Sequence, residues 1–143
     1  MIRILVLAIL TALGLAVAAQ GATTAMIKGT AQGDDIQGTQ GGDVIYGFVG
    51  NDEIDGRGGA DVIFGGPGDD TLSGGGGKDY LSGGEGDDTL AAAYGEGRPV
   101  DFFSCGAGDD LAILVDVPDV DRAGVRRLLD GAPSHCETVR FTR

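Results

Sequence analysis

Between Gly29 and Ala91 the chain carries one large aliphatic side chain every nine residues: Ile36, Ile45, Ile54, Ile63, Leu72, Leu81 and Leu90. Each sits at the centre of a three-residue segment and follows six residues dominated by Gly and Asp. A helical stripe would return every three or four residues, and a long half-buried strand would alternate every two. The nine-residue spacing instead predicts very short strands, one side chain inward and two outward, joined by tight turns. Elsewhere the pattern changes. Ile4 to Ala18 is apolar apart from Thr11. Leu111 to Val117 reads as a strand, and Cys136 to Phe141 alternates like a closing strand. Between them Val125, Leu128 and Leu129 keep helical spacing behind Asp119 or Asp121, either of which suits a helix N-cap.

The polar positions are as regular as the apolar ones. Residues 29–91 divide into seven units of nine. The first position is Gly in every unit: Gly29, Gly38, Gly47, Gly56, Gly65, Gly74 and Gly83. The sixth is always Asp: Asp34, Asp43, Asp52, Asp61, Asp70, Asp79 and Asp88. The fourth is Gly except at Gln32, while the second is Gly only in the last three units, the first four carrying Thr30, Thr39, Phe48 and Arg57. Two units close one coil, so units n and n+2 stack and the Ile/Leu column becomes the core. The expected fold is all-β, a parallel β-roll (right-handed β-helix or solenoid) of nonapeptide repeats with a β-rich C-terminal cap. After Leu90 the register breaks. Residues 92–104 match no unit, and Cys105-Gly106-Ala107-Gly108-Asp109-Asp110 then restates the turn half, displaced by four residues. Residues 92–143 are therefore expected to cap the roll, covering an edge that would otherwise invite pairing with other chains.

Stacking places Asp34, Asp52, Asp70 and Asp88 in one ladder and Asp43, Asp61 and Asp79 in another. Carboxylates ~4.8 Å apart repel, and a hard dication between neighbours turns that repulsion into attraction. Calcium takes roughly 6–8 oxygens, and turn carbonyls can supply those the carboxylates do not. Seven turns leave gaps for up to about five Ca2+ ions. One aliphatic residue in nine is too thin a core to order the chain unaided, because ordering costs about 1–2 kcal/mol per residue. The reading is therefore of a fold coupled to its ion.

The pattern G-G-x-G-x-D-x-U-x resembles the RTX (haemolysin-type) calcium-binding repeat. Gly65-Gly66-Pro67-Gly68-Asp69-Asp70-Thr71-Leu72 and Gly83-Gly84-Glu85-Gly86-Asp87-Asp88-Thr89-Leu90 match it best. The resemblance implies that the seven sixth-position Asp residues bridge successive calcium ions. It implies too that backbone carbonyls of Gly50, Gly59, Gly68, Gly77 and Gly86 complete the shells. Asp110 is a candidate for one further site.

Charge and composition remove other classes. Asp and Glu number 22 against 10 Lys and Arg, a formal charge of −12, which argues against a nucleic-acid binder or a polybasic membrane-surface protein. Five bound calcium ions would bring that charge to about −2. The 28 Gly do not make collagen, since no G-X-Y register persists. No Ser/His/Asp or H-E-x-x-H arrangement occurs, and the chain is not expected to be an enzyme. Gly74 to Asp79 is not a phosphate loop, because Leu72 and Asp79 stand where Gly and Ser/Thr are needed. Asn51 to Gly56 opens like an EF-hand, but Val62 replaces the closing Glu.

Arg3, the apolar run and the small residues Val17-Ala18-Ala19 have the layout of a secretory signal peptide. The expected organisation is a signal over 1–19, a linker over 20–28, the roll over 29–91 and the cap over 92–143, in a secreted protein with no membrane attachment after cleavage. Cys105 and Cys136 make an even pair in an exported chain, which predicts a disulfide worth about 3–4 kcal/mol. The alternative, a soft-metal site with His135, has no C-x-x-C to support it.

The outward positions differ between the two sheets. Odd units offer mainly Asp35, Gln37, Glu53, Asp55, Thr71 and Ser73, whereas even units offer Val44, Tyr46, Val62, Phe64 and Tyr80. An apolar face of this kind is normally covered or used. The C-terminal segment, a second copy or a surface partner are the candidates. This leaves a calcium-dependent structural or adhesive surface protein as the alternative function.

Overall fold

The structure, a computed structural model, describes residues 23–93, 101–115, 136 and 138–142. The expected signal and the helix-spaced segment around Val125 lie outside them. Eleven strands follow in chain order: β1 (Met26–Lys28), β2 (Asp35–Gln37), β3 (Val44–Tyr46), β4 (Glu53–Asp55), β5 (Val62–Pro67), β6 (Thr71–Ser73), β7 (Tyr80–Glu85), β8 (Thr89–Ala93), β9 (Phe102–Ala107), β10 (Leu111–Val115) and β11 (Thr138–Thr142). They form two sheets, β1-β3-β5-β7-β9 and β11-β10-β8-β6-β4-β2, paired in parallel throughout. Strands β1 to β10 alternate between the two sheets, which makes a β-solenoid, and β11 joins the sheet of β10.

The register is that of the nonapeptide stack. Ile36 lies opposite Ile54 and Ile54 opposite Leu72, while Ile45 lies opposite Ile63 and Ile63 opposite Leu81. The column fills the space between the sheets, and Ile45, Ile63, Leu72, Leu81 and Leu90 are fully buried. Strands are short because the Gly-rich turns resume after three residues. Later units lengthen them, since Gly66 pairs with Gly84 and Pro67 with Glu85 along the turn itself.

The stack is longer at both ends than the repeat pattern indicates. Upstream, β1 falls in the segment expected to be a linker. Ile27 stands eighteen residues before Ile45 and pairs with it, so the apolar column begins before the first Gly/Asp turn. Downstream, residues 102–104 match no unit in the sequence yet take a place in the stack. Phe102–Ala107 continues the even sheet, with Phe103 opposite Leu81 and Cys105 in the first-position Gly column. Ala112 then lies opposite Leu90, and Val139 opposite Ala112. Four extra residues precede Asp101 relative to the 18-residue period, within residues 94–100, which lie outside the described ones. The C-terminal strand β11 closes the edge of the odd sheet.

Candidate metal centre

Every turn delivers its Asp to the interior. Asp43, Asp61, Asp70, Asp79, Asp88 and Asp110 are each 1% exposed. One carboxylate oxygen of each has a fixed role. Oδ1 of Asp52 accepts the backbone N–H of Asp34 at 2.8 Å, Asp70 that of Asp52, Asp88 that of Asp70, and Asp110 that of Asp88. The second ladder repeats the motif from Asp43 through Asp61 and Asp79 to Asp101. Both expected ladders therefore exist, and each gains one rung, Asp110 and Asp101. The restated turn before Asp110 marks it in the sequence. Asp101 has no such mark, and both lie 22 residues beyond their predecessors rather than 18.

The other oxygen is the unusual one. Among the described residues, Oδ2 of Asp52, Asp61, Asp70, Asp79, Asp88 and Asp110 is buried with no hydrogen-bond partner. A buried carboxylate oxygen without a donor costs several times what a satisfied one does. Burial, reinforced by neighbouring carboxylates, raises Asp52, Asp61, Asp70, Asp79 and Asp88 above the usual 3.8, against the lowering effect of the accepted N–H. Asp61 and Asp88 rise to about 6, Asp70 to about 7, and Asp52 and Asp79 move in the same direction. Two rows of such oxygens call for protons or cations.

The donors at hand are hard. No group of three or more His, Cys, Asp or Glu side chains gathers among the described residues. A cation on a ladder would meet one or two carboxylates and take its remaining oxygens from the backbone, a set that fits calcium. The turns expose such backbone. Gly50, Gly59, Gly68, Gly77 and Gly86 have φ of +130°, +114°, +139°, +145° and +121°, a region that costs other residues about 1–2 kcal/mol. A Cβ added to Gly68, Gly77, Gly86 or Gly108 would collide with the carbonyl oxygen of the fourth-position Gly one coil back. The first-position Gly leaves room for the carboxylate: a Cβ on Gly56 would lie 2.5 Å from Oδ2 of Asp61.

The described turns fall into two classes. Six have positive φ at both second and fourth positions: Phe48/Gly50, Arg57/Gly59, Gly66/Gly68, Gly75/Gly77, Gly84/Gly86 and Gly106/Gly108. These belong one-to-one with the six unpartnered Oδ2 atoms. The first two turns have neither. There the N–H of Thr30 donates to Oδ2 of Asp34 at 2.5 Å, and the N–H of Thr39 to Oδ2 of Asp43 at 2.6 Å. The odd edge also carries an exposed outer ladder at the fifth position. Asn51 accepts the N–H of Asp69, Asp69 that of Asp87, and Asp87 that of Asp109.

Cys105 and Cys136 stand 5.4 Å apart at Cα, within disulfide reach, with Cys105 in the core. On the even face Tyr46 stacks on Phe64 at 5.1 Å, and Phe64 meets Tyr80 at 6.1 Å.

The profile of the RTX calcium-binding nonapeptide repeat matches residues 28–63 and 55–90, in four copies. No curated protein and no solved structure matches the chain. Repeat, register and paired Asp ladders agree, and residues 28–90 are RTX calcium-binding nonapeptide repeats.

Proposed function

We propose that this is a secreted calcium-binding protein whose β-roll folds as it takes up several Ca2+ ions. The observation that carries the reading is the set of six buried, unpartnered carboxylate oxygens in two ladders. Without cations each ladder is a row of anions held apart from water. With them, the binding energy of the ions becomes folding energy. The sixth-position Asp residues are the side-chain ligands, and the Gly50, Gly59, Gly68, Gly77 and Gly86 carbonyls are the backbone ones. Export fits the role, since calcium is plentiful outside the cell and extracellular modules typically work at about 10⁻⁴–10⁻³ M. It also fits a Cys105–Cys136 disulfide, which would pin the strand β11 segment to the last coil. The chain binds and folds rather than catalyses.

Titration calorimetry of the purified mature chain tests this. Uptake of several calcium ions in that concentration range, with magnesium a poor competitor, is expected. No saturable uptake up to 10 mM (about tenfold above the range) would overturn it.

A second reading uses the even face. The Tyr46–Phe64–Tyr80 row is continuous, and Tyr80 is 40% exposed beside Phe102 at 57%. That row suits a calcium-dependent contact with a second copy or a surface partner. Sedimentation of Val62→Ser/Phe64→Ser in saturating calcium tests it: loss of an oligomer supports the contact, and an unchanged monomer removes the self-association form.

A further inference from the structure

The two turn classes differ in how the carboxylate is answered. In the first two turns the second residue is Thr, and its N–H reaches the oxygen left bare elsewhere. The hydroxyl joins it. Oγ1 of Thr30 lies 2.9 Å from Oδ2 of Asp34, and Oγ1 of Thr39 lies 3.0 Å from both oxygens of Asp43 and 2.7 Å from the carbonyl oxygen of Thr23, which shares its one proton. The same hydroxyls accept the N–H two residues on, from Gln32 at 3.2 Å and from Gly41 at 3.1 Å, which fixes an ST-turn. Asp43 also accepts the N–H of Ala25 at 2.7 Å on Oδ1. These two carboxylates are thus answered by the protein's own donors.

We infer that Thr30 and Thr39 stand in for a cation at the N-terminal end of the two ladders. The first two turns then close without an ion, and uptake is confined to the left-handed turns from Phe48 onward. Resting on the calcium reading above, this narrows it: Asp34 and Asp43 belong to the repeat but hold no ion. A ladder needs such an end, because its first rung has no Asp eighteen residues before it to share a cation with, Ala25 standing there before Asp43. Two directed donors on one carboxylate supply charge-assisted bonds there instead. Thr is suited to this and Gly is not, since it adds a hydroxyl and disfavours positive φ.

The experiment is a count of bound ions, by native mass spectrometry of the mature chain in millimolar calcium, with circular dichroism confirming that each variant is folded. Asp43→Asn should leave the wild-type count unchanged, whereas Asp70→Asn should lower it by at least one. Thr39→Gly gives the second unit the second-position Gly that it lacks, and should raise the count by one, with Thr39→Ser restoring the wild-type number. A lower count for Asp43→Asn, or an unchanged count for Thr39→Gly, overturns the inference. Should Asp43→Asn fail to fold, the Thr39 pair decides alone. A wild-type chain that takes up no calcium overturns the underlying reading, and this inference with it.

Discussion

Asp88 accepts the backbone N–H of Asp70 on Oδ1 at 2.9 Å, while its Oδ2 is buried without a partner. One carboxylate thus serves both as a rung of the fold and as an open demand for positive charge. The same division holds at every left-handed turn described, so stability and ion binding act through the same side chains.

The demand can also be met by protons. Asp61 and Asp88 titrate at about 6 and Asp70 at about 7 in the folded chain, against 3.8 when unfolded. The folded state therefore holds protons that the unfolded state releases as pH rises from about 4 to about 7. The stabilisation is fully present at the bottom of that window and gone at the top. In excess chelator, β content by circular dichroism should therefore be greater at about pH 4.5 than at about pH 7.5. A chelated chain that gains β structure as pH rises would contradict the assignment.

Asp70→Asn keeps the shape and one acceptor but removes the charge from the middle of the odd ladder. The calcium midpoint for folding should rise by about tenfold, equivalent to ~1.4 kcal/mol. Asp55→Asn, on an exposed outward position of β4, should leave the midpoint within twofold. Equal effects of the two variants would remove the ladder from the account.

Ladder membership of Asp52, Asp70 and Asp88 was legible, because an 18-residue spacing survives in the sequence whatever the turns contain. Phe103 and Asp101 were not, since the four extra residues before them hide the period. Only strand pairing with Leu81 and Tyr80 restores it. The four departures from Gly at the second position look alike in the sequence yet divide two and two. Phe48 and Arg57 adopt φ of +77° and +74°; Phe48 has no side-chain donor, and the Arg57 guanidinium goes to Gln37 instead of the carboxylate. Thr30 and Thr39 offer a hydroxyl, and the turn forms around it. That choice depends on a hydroxyl finding an oxygen four residues on, which periodicity does not encode.

The strain at Arg57 gives a stabilising substitution. Arg57→Gly relieves a positive φ worth about 1 kcal/mol, loses only the exposed guanidinium contact to Gln37 and keeps the backbone N–H bond to Asp55. At fixed calcium, Tm should rise by several degrees. Thr30→Gly should not stabilise, because Thr30 has no such strain and would lose its hydroxyl bond to Asp34.

First-position glycines are set by space rather than by φ. A Cβ at Gly56 would lie 2.5 Å from Oδ2 of Asp61 and 2.8 Å from the carbonyl of Gly74, whereas at Gly76 the nearest contact is 3.8 Å. Gly56→Ala should cost about 1–3 kcal/mol in denaturant titrations at fixed calcium. Gly76→Ala should be close to neutral. A reversed order would refute the packing.

The central claim is that ion binding and folding are one event, and a far-UV circular dichroism titration of the mature chain at about pH 7.5 addresses it most directly. The account predicts a largely disordered spectrum in excess chelator and a cooperative rise to β signal as calcium reaches about 10⁻⁴–10⁻³ M. The same β content in chelator as in millimolar calcium would contradict it.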